Sequence, residues 1–458
     1  MSTRLRHVAI AGGGLAGIAA AIRLADAGVR VTLIESRQKL GGRATSHTDP
    51  ATGQLIDNCQ HVAMGCCERY IALMDRLGVL DEFEWSEAQH WVESGGRVSV
   101  IGPGGLPEPL HLAVSFARAA FLSWSSKLAI ARGVVGLKLL NPNDWTGRTF
   151  AEWLSSIDQP DEAVARFWEP VVVSACNLSV RHVAAPVAMK VFREGLLAGR
   201  KGARIGVPRV PLKTLYDGVE RILHESGGRL RLRESVERVR AGAIETDRAR
   251  IEADAVICAL PIERAWRVLD QRDARVPAMK AARYSPIIGI KMWLRAPVFH
   301  WPHAVLVGRS VQWLFPVRDG EAEGGTAPDG VEAIQDWRSG AGRWPVHAVI
   351  SAAAETVDRS AECIIEDATV DLASCFPEFR RADVLSATVI KEKRATFAAT
   401  PAFEAFRSGL TVGCRSNPGV WLAGDFTDTG WPATMEGAVR SGELAADRVI
   451  PNKMRTDH

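Results

Sequence analysis

Tyrosine is scarce in this sequence: 3 residues against 14 tryptophans, which points to apolar surfaces rather than hydroxyl-rich binding faces. Cysteine is also sparse, with 8 in 458 residues, too few for a disulfide scaffold. No uncharged apolar run reaches the ~18 residues that a membrane-spanning helix needs, and the nearest, residues 8–22, is interrupted by glycines. The formal charge of +3 is small and the basic residues are scattered, so nucleic acid is not an expected partner. The opening MSTRLRHVAIAGGG enters a strand almost at once, without the apolar core of a secretory leader. A reducing cytoplasm with free thiols is expected. Neither an internal repeat nor a low-complexity segment is present.

What is present is an ordinary globular composition, 47% apolar and 24% charged, over a length that suggests two domains. Residues 7–36 read as strand, tight turn, helix, strand. An apolar run stops at glycine, helical spacing follows through Leu15, Ile18 and Ile22, and a second strand ends at Glu35. Between strand and helix stands Gly12-x-Gly14-x-x-Gly17. In that context the first glycine permits the turn, the second lets a pyrophosphate reach the backbone, and the third lets helix and strand pack closely. The helix N-terminus, with Leu15 and Ala16, offers free N–H groups to an anion. Glu35, followed by Ser36, would accept hydrogen bonds from ribose hydroxyls.

Two further segments favour FAD over a diffusing nicotinamide. RQKLGGRA (37–44) places Gly42 and Arg43 for a second pyrophosphate contact, and WLAGDFTDTGWPATMEGAVRSG (421–442) reads as a strand ending in Gly424–Asp425 and leading into a helix near Thr434 and Met435. That helix would aim its N-terminal dipole at the flavin ring. Both ends of the chain are therefore expected to build one site.

Elsewhere, residues 110–140 suggest two helices with large apolar faces and recurring basic residues, and 161–200 a continuing helix. Short strands are expected over 229–252, a buried parallel strand at 253–261, strands within 285–350, and a surface loop at 319–330. The closing residues 451–458 read as a frayed tail.

DNCQHVAMGCC (57–67) admits three readings. Adjacent cysteines rarely bind one tetrahedral ion and no CxxC completes a site, so no metal is expected. A cytoplasmic disulfide is equally disfavoured. The third reading is a wall of the flavin pocket, with His61 as a candidate proton donor near neutrality. A histidine bonding the backbone is the plainer alternative, and the cysteines would be small packing residues.

In GGRATS, DNCQHVAMGCC, FWEPVVVSACN, VFREGLL, GVPRVPL and GDFTDTGWPATMEGAVRSG the chain resembles the flavin amine oxidase and phytoene desaturase superfamily. Within it, the likeness is to the squalene-associated FAD-dependent desaturases, the hydroxysqualene dehydroxylases of hopanoid biosynthesis. Cys59 departs from the glycine common there. The resemblance implies an α/β fold: a Rossmann-type FAD-binding domain over 1–65, 205–265 and 400–458, and an interleaved α+β substrate domain over 66–204 and 266–399. It adds Val236 to the cofactor-binding positions. It also makes Lys291, on the strand IIGIKMWL, and Asp57 candidate catalytic residues beside His61. A snorkelling strand lysine is the plain alternative for Lys291. Glu436 and Asp428 are further candidate acids, for which helix caps and ion pairs account equally well. Trp168, Trp313 and Trp431 are candidates to stabilise a cation.

The implied reaction is reductive dehydroxylation of an apolar polyprenoid alcohol, with an electron donor that the sequence does not identify. The enzyme would sit peripherally on the inner face of the membrane, through the 110–140 helices. Carotenoid-type desaturation is the alternative. Amine oxidation is disfavoured by the shortage of tyrosine for an aromatic cage, and a lipid escort without redox chemistry would be colourless.

Overall fold

The structure is a computed structural model, and it describes residues 6–48, 55–108, 110–317 and 344–450. The loop expected at 319–330 and the tail at 451–458 lie outside the described residues.

The apolar runs VAIA and AVIC lack the alternation of a half-solvated strand, and both lie inside a parallel sheet covered on two faces. Its order is Arg229–Arg231, Arg30–Ile34, His7–Ala11, Ala255–Cys258, Val420–Leu422, every neighbour parallel. On one face pack the helices Leu15–Asp26 and Met435–Val449. On the other lie the meander Val236–Arg240, Ala243–Thr246 and Arg250–Glu252 and the helix Ile262–Val268. The two covering helices meet backbone to backbone, because a Cβ at Gly442 would overlap the Ala16 carbonyl. The N- and C-terminal segments thus share one layer.

A second sheet of seven strands runs Val384–Phe397, Tyr284–Leu294, Trp344–Ile350, Trp313–Pro316, Ala304–Leu306, Gln89–Val92, Val98–Ile101. Alternation along Tyr284–Leu294 sorts its side chains by face. Ile288, Ile290, Met292 and Leu294 pack with Ile364, Ala368 and Leu372 of the helix Ala361–Cys375. Ile287 instead meets the cluster of Ile205, Val207, Phe315 and Val349, which also includes Val62. That second face looks toward the dinucleotide half.

A helical layer completes the molecule, including Ala113–Arg118, Trp124–Leu139 and Phe150–Ser156. The helix expected over 161–200 is broken. It ends at Asn177, whose φ of 53° is left-handed, and resumes at Ala185. Asparagine tolerates that conformation. Its amide donates to Ser285 O (2.9 Å) and Thr396 Oγ1 (3.0 Å) and accepts from Ala352 N (2.6 Å), exchanging helix continuity for a tie to the sheet. Among the described residues no helix is long and apolar enough to cross a membrane.

Candidate flavin site

The glycine turn is shaped by sterics. Gly12 has φ +106° and donates to Ile34 O (2.8 Å), and a Cβ there would stand 2.6 Å from Ala259 O. A Cβ at Gly17 would overlap the Gly12 carbonyl, so helix and strand could not close. Gly14, by contrast, is bare: the nearest atom to a Cβ there would be Gly42 Cα at 3.9 Å. The helix that starts at Leu15 has no side-chain cap and no acidic residue in its first turn. Its N-terminal donors and partial positive charge are left for an anion. Glu35 is held at the lip, accepting from Gly13 N (2.9 Å), Arg37 N (2.8 Å) and Ser36 Oγ (3.1 Å). Glu234 N donates to Glu35 O (3.1 Å), which brings the start of the meander, with buried Val236, to the same corner. A bare backbone, an uncapped helix and an acid after the second strand fit a dinucleotide.

The C-terminal half closes on this corner. Arg43 pairs with Asp425 (2.7 Å) and donates to Ala395 O (2.8 Å), and Gly424 N donates to Ser441 Oγ (2.7 Å). The Asp425 carboxylate holds the Arg43 guanidinium above its ordinary pKa, against the opposing effect of burial. Thr434 caps the helix Met435–Val449 through Gly437 N (3.1 Å). Glu436 is fully buried and spoken for: it accepts from Tyr70 N (2.8 Å) and Arg69 N (3.2 Å), capping the helix Glu68–Arg76, and pairs with Arg440 (2.6 Å). Asp428 lies on the surface.

The stretch 57–67 runs alongside. Asp57 is buried, and its Oδ1 accepts from Ser46 Oγ (2.5 Å) and Leu212 N (3.1 Å), joining the ribbon of 46–48 and 55–57 to the turn at 212. His61 Nδ1 lies 2.8 Å from Cys59 O. A carbonyl only accepts, so Nδ1 carries the hydrogen and Nε2 is the open position. Burial lowers the His61 pKa below 6.5; the Cys59 carbonyl and Glu392 raise it and Arg43 lowers it further. Burial also pushes the Cys59 thiol up to about 12. Among the described residues no group of three or more His, Cys, Asp or Glu could hold a metal ion.

Lys291 is buried on the sheet face that looks toward the dinucleotide half, on the same side as Ile287 and about 13 Å further along the strand at ~3.3 Å per residue. His347 stands opposite it, and a Cβ at Gly289 would be 2.7 Å from His347 Nε2. Trp313 stacks on Phe315 (5.7 Å) on this face. Trp168 does not reach the site: it is fully buried among Phe150, Trp153, Phe167 and Phe192, with Nε1 donating to Gln159 (2.7 Å). Trp431 lies under Lys190 and Arg440 at 5.1 and 5.0 Å.

Three residues escape sequence reasoning. Asn58 donates to Glu392 (2.9 Å) and to Arg43 O (3.3 Å), so the GGR segment is tied to the strand Val384–Phe397. Glu392 sits in KEKR, which reads as a solvated edge. Arg407 is buried and donates to Asp425 O (3.0 Å), Thr427 O (3.0 Å) and Trp431 O (2.5 Å), knitting the loop 425–431 together; no local signal marks it.

Comparison with known proteins agrees with this geometry. The profile of the flavin containing amine oxidoreductases matches residues 15–450. A hydroxysqualene dehydroxylase of Rhodopseudomonas palustris is 28% identical over 97% of this chain and 98% of its own. A 15-cis-phytoene desaturase of Capsicum annuum is 24% identical over 98% of this chain and 78% of its own. Among solved structures, a putrescine oxidase double mutant superposes with a TM-score of 0.72 at 15% identity, covering 97% of this chain and 99% of that one. An oxidoreductase of Methanosarcina mazei gives 0.70 at 18%, covering 96% and 100%. The chain belongs to the flavin containing amine oxidoreductase family and is a flavin-dependent oxidoreductase whose cofactor is FAD.

Proposed function

We propose that the protein reductively removes the hydroxyl group of hydroxysqualene to give squalene, a step of hopanoid biosynthesis. The observation that carries this reading is the end-to-end match to hydroxysqualene dehydroxylases at 26–28% identity, where a phytoene desaturase covered equally far is only 22% identical. Residues 1–65, 205–265 and 400–458 hold the cofactor in this reading, and 66–204 and 266–399 the substrate. Gly12, Gly14, Gly17, Glu35, Gly42, Arg43, Gly424, Asp425 and the helix capped by Thr434 hold FAD. In its reduced form FAD supplies the hydride that replaces the hydroxyl group.

His61 delivers the proton to the departing oxygen from Nε2, while Nδ1 stays bonded to Cys59 O. Burial makes its imidazolium scarce near neutrality but strongly acidic once formed. Lys291 donates toward the hydroxyl or a water on it, and Asp57 positions the segment that carries His61. Val62, Ile205, Val207, Trp313 and Phe315 exclude water that would recapture an allylic cation. A polyprenoid dwells in a bilayer, so the enzyme meets one peripherally.

The test is anaerobic incubation of chemically reduced protein with hydroxysqualene, with extraction of the lipids. Squalene is the expected product. The match to phytoene desaturases favours a second reading, oxidative desaturation of an apolar polyene. Conjugated double bonds formed from phytoene or squalene by the oxidised protein, with no turnover of hydroxysqualene, would replace the first reading with the second.

A further inference from the structure

The helix Trp124–Leu139 is apolar on two sides. Ile130, Gly133 and Leu137 face the core, yet Trp124, Leu128, Val135 and Leu139 are 67%, 64%, 59% and 82% exposed. At 100° per residue these four fall within about 60° of one another, a single stripe. A helix apolar all round is normally covered on every side, and this one is covered on half. Leu110 and Val114, also exposed, extend the apolar surface in the preceding segment.

Charge along the segment that carries the stripe has one sign. From 109 to 143 the sequence contains Arg118, Lys127, Arg132 and Lys138 and no acid, so the segment carries four minus zero, or +4, inside a chain of +3. By the same helical arithmetic Arg132 and Lys138 flank the stripe on opposite sides, and both are exposed. Lys127 is turned inward: it is buried, donates to Ala117 O (2.8 Å), and so ties the helix to the segment before it. The acids bordering the segment stand at its ends: exposed Asp144 follows the helix, where it accepts from Asn141 Nδ2 (3.4 Å). Glu162 accepts from Ser123 N (3.1 Å) and Ser126 Oγ (2.5 Å) at the helix start, and Glu108 accepts from Arg200 N (2.7 Å).

We infer that this face is a docking surface for a bilayer bearing anionic headgroups: the stripe enters the acyl boundary while Arg132, Lys138 and Arg118 meet phosphates. A second copy of the chain is a poorer occupant, because it would set +4 against +4. The docking face goes beyond the reaction proposed above and holds for any apolar substrate.

The experiment uses full-length holoprotein and vesicles of phosphatidylcholine with and without phosphatidylglycerol. Sedimentation with the anionic vesicles should exceed that with neutral ones by roughly tenfold or more, and fall with added salt, at ~1 kcal/mol per basic residue near the surface. Arg132→Glu/Lys138→Glu should bring anionic binding down to the neutral level, and Leu128→Gln/Leu139→Gln should weaken binding to both. These side chains are exposed, so an unchanged flavin spectrum and melting temperature should accompany each loss. Equal sedimentation with both vesicle types, or variants that bind like the parent, would overturn the inference. So would a concentration-dependent dimer that Leu128→Gln/Leu139→Gln abolishes, since a second copy would then cover the face. Squalene formed in detergent by a protein that ignores vesicles would remove the docking face and leave the reaction standing.

Discussion

The ion pair between Arg43 and Asp425 joins residues 382 positions apart, and its strength can be bounded before it is measured. The Asp425 side chain is 8% exposed and that of Arg43 38%, at 2.7 Å. Breaking a fully buried pair costs ~3–5 kcal/mol, whereas an exposed pair contributes ~0–1. With one buried and one half-solvated partner, the coupling should be about 2 kcal/mol. Arg43→Ala also removes the bond to Ala395 O, at about 1 kcal/mol, for a total loss near 3 kcal/mol. Asp425→Asn leaves the guanidinium free to turn to solvent and should cost less, about 1–2 kcal/mol. The term from Ala395 is common to the single and double arginine variants, so a double-mutant cycle cancels it. Urea unfolding of the apoprotein gives the four free energies, and flavin fluorescence on titration with FAD gives the four affinities. Additivity within ~0.5 kcal/mol in the unfolding cycle would refute the idea that this pair fastens the two ends of the chain.

Gly17→Ala should yield protein that purifies with little bound flavin and loses ~1–3 kcal/mol, because its Cβ would overlap the Gly12 carbonyl; flavin absorbance and urea unfolding check it. His61 has a folded pKa below its unfolded 6.5, so the unfolded chain binds more protons in acid. Its share of stability is therefore complete above pH ~6.5 and declines as pH falls toward the folded value, and His61→Gln should make the measured acid-side decline shallower. Glu392→Gln removes a charge that favours the imidazolium, and should move the His61 titration, followed by NMR, to lower pH. Iodoacetamide at mildly alkaline pH should label exposed Cys363 and half-buried Cys414, the pKa of the latter being lowered by bonds to Ser416, well before Cys59 and Cys176, both pushed up to about 12 by burial; peptide mass mapping reads the order.

The parallel-sheet part of the fold was legible because its requirements are local. A glycine that must take φ +106° between a strand and a helix announces itself within six residues, and so do an acid after the next strand and a threonine ahead of the last helix. The helix end at Asn177 was not legible. The residue interrupts an apolar run whose pattern continues past it, and its reasons for leaving the helix are Ser285, Ala352 and Thr396, each more than a hundred positions away. Trp168 illustrates the same limit from the other side: a tryptophan that completes an aromatic core and one that faces a substrate have the same spelling.

Glu392 and Arg407 show where the limit bears on chemistry. Each is an ordinary charge in its own neighbourhood, one in KEKR and one at the end of the short helix Pro401–Arg407, and each acquires a role only through the backbone it is folded against. Arg407 gives hydrogen bonds to carbonyls at 425, 427 and 431, a loop that could not hold Asp425 in place for Arg43 without them. Its Nη1 also pairs with Glu404 in the same short helix (3.3 Å), so one arm of the guanidinium meets a charge while the other nitrogens of the fork hold the shape of the loop. Substitution by lysine, which keeps the charge and forfeits the fork, should therefore loosen the flavin nearly as much as alanine does.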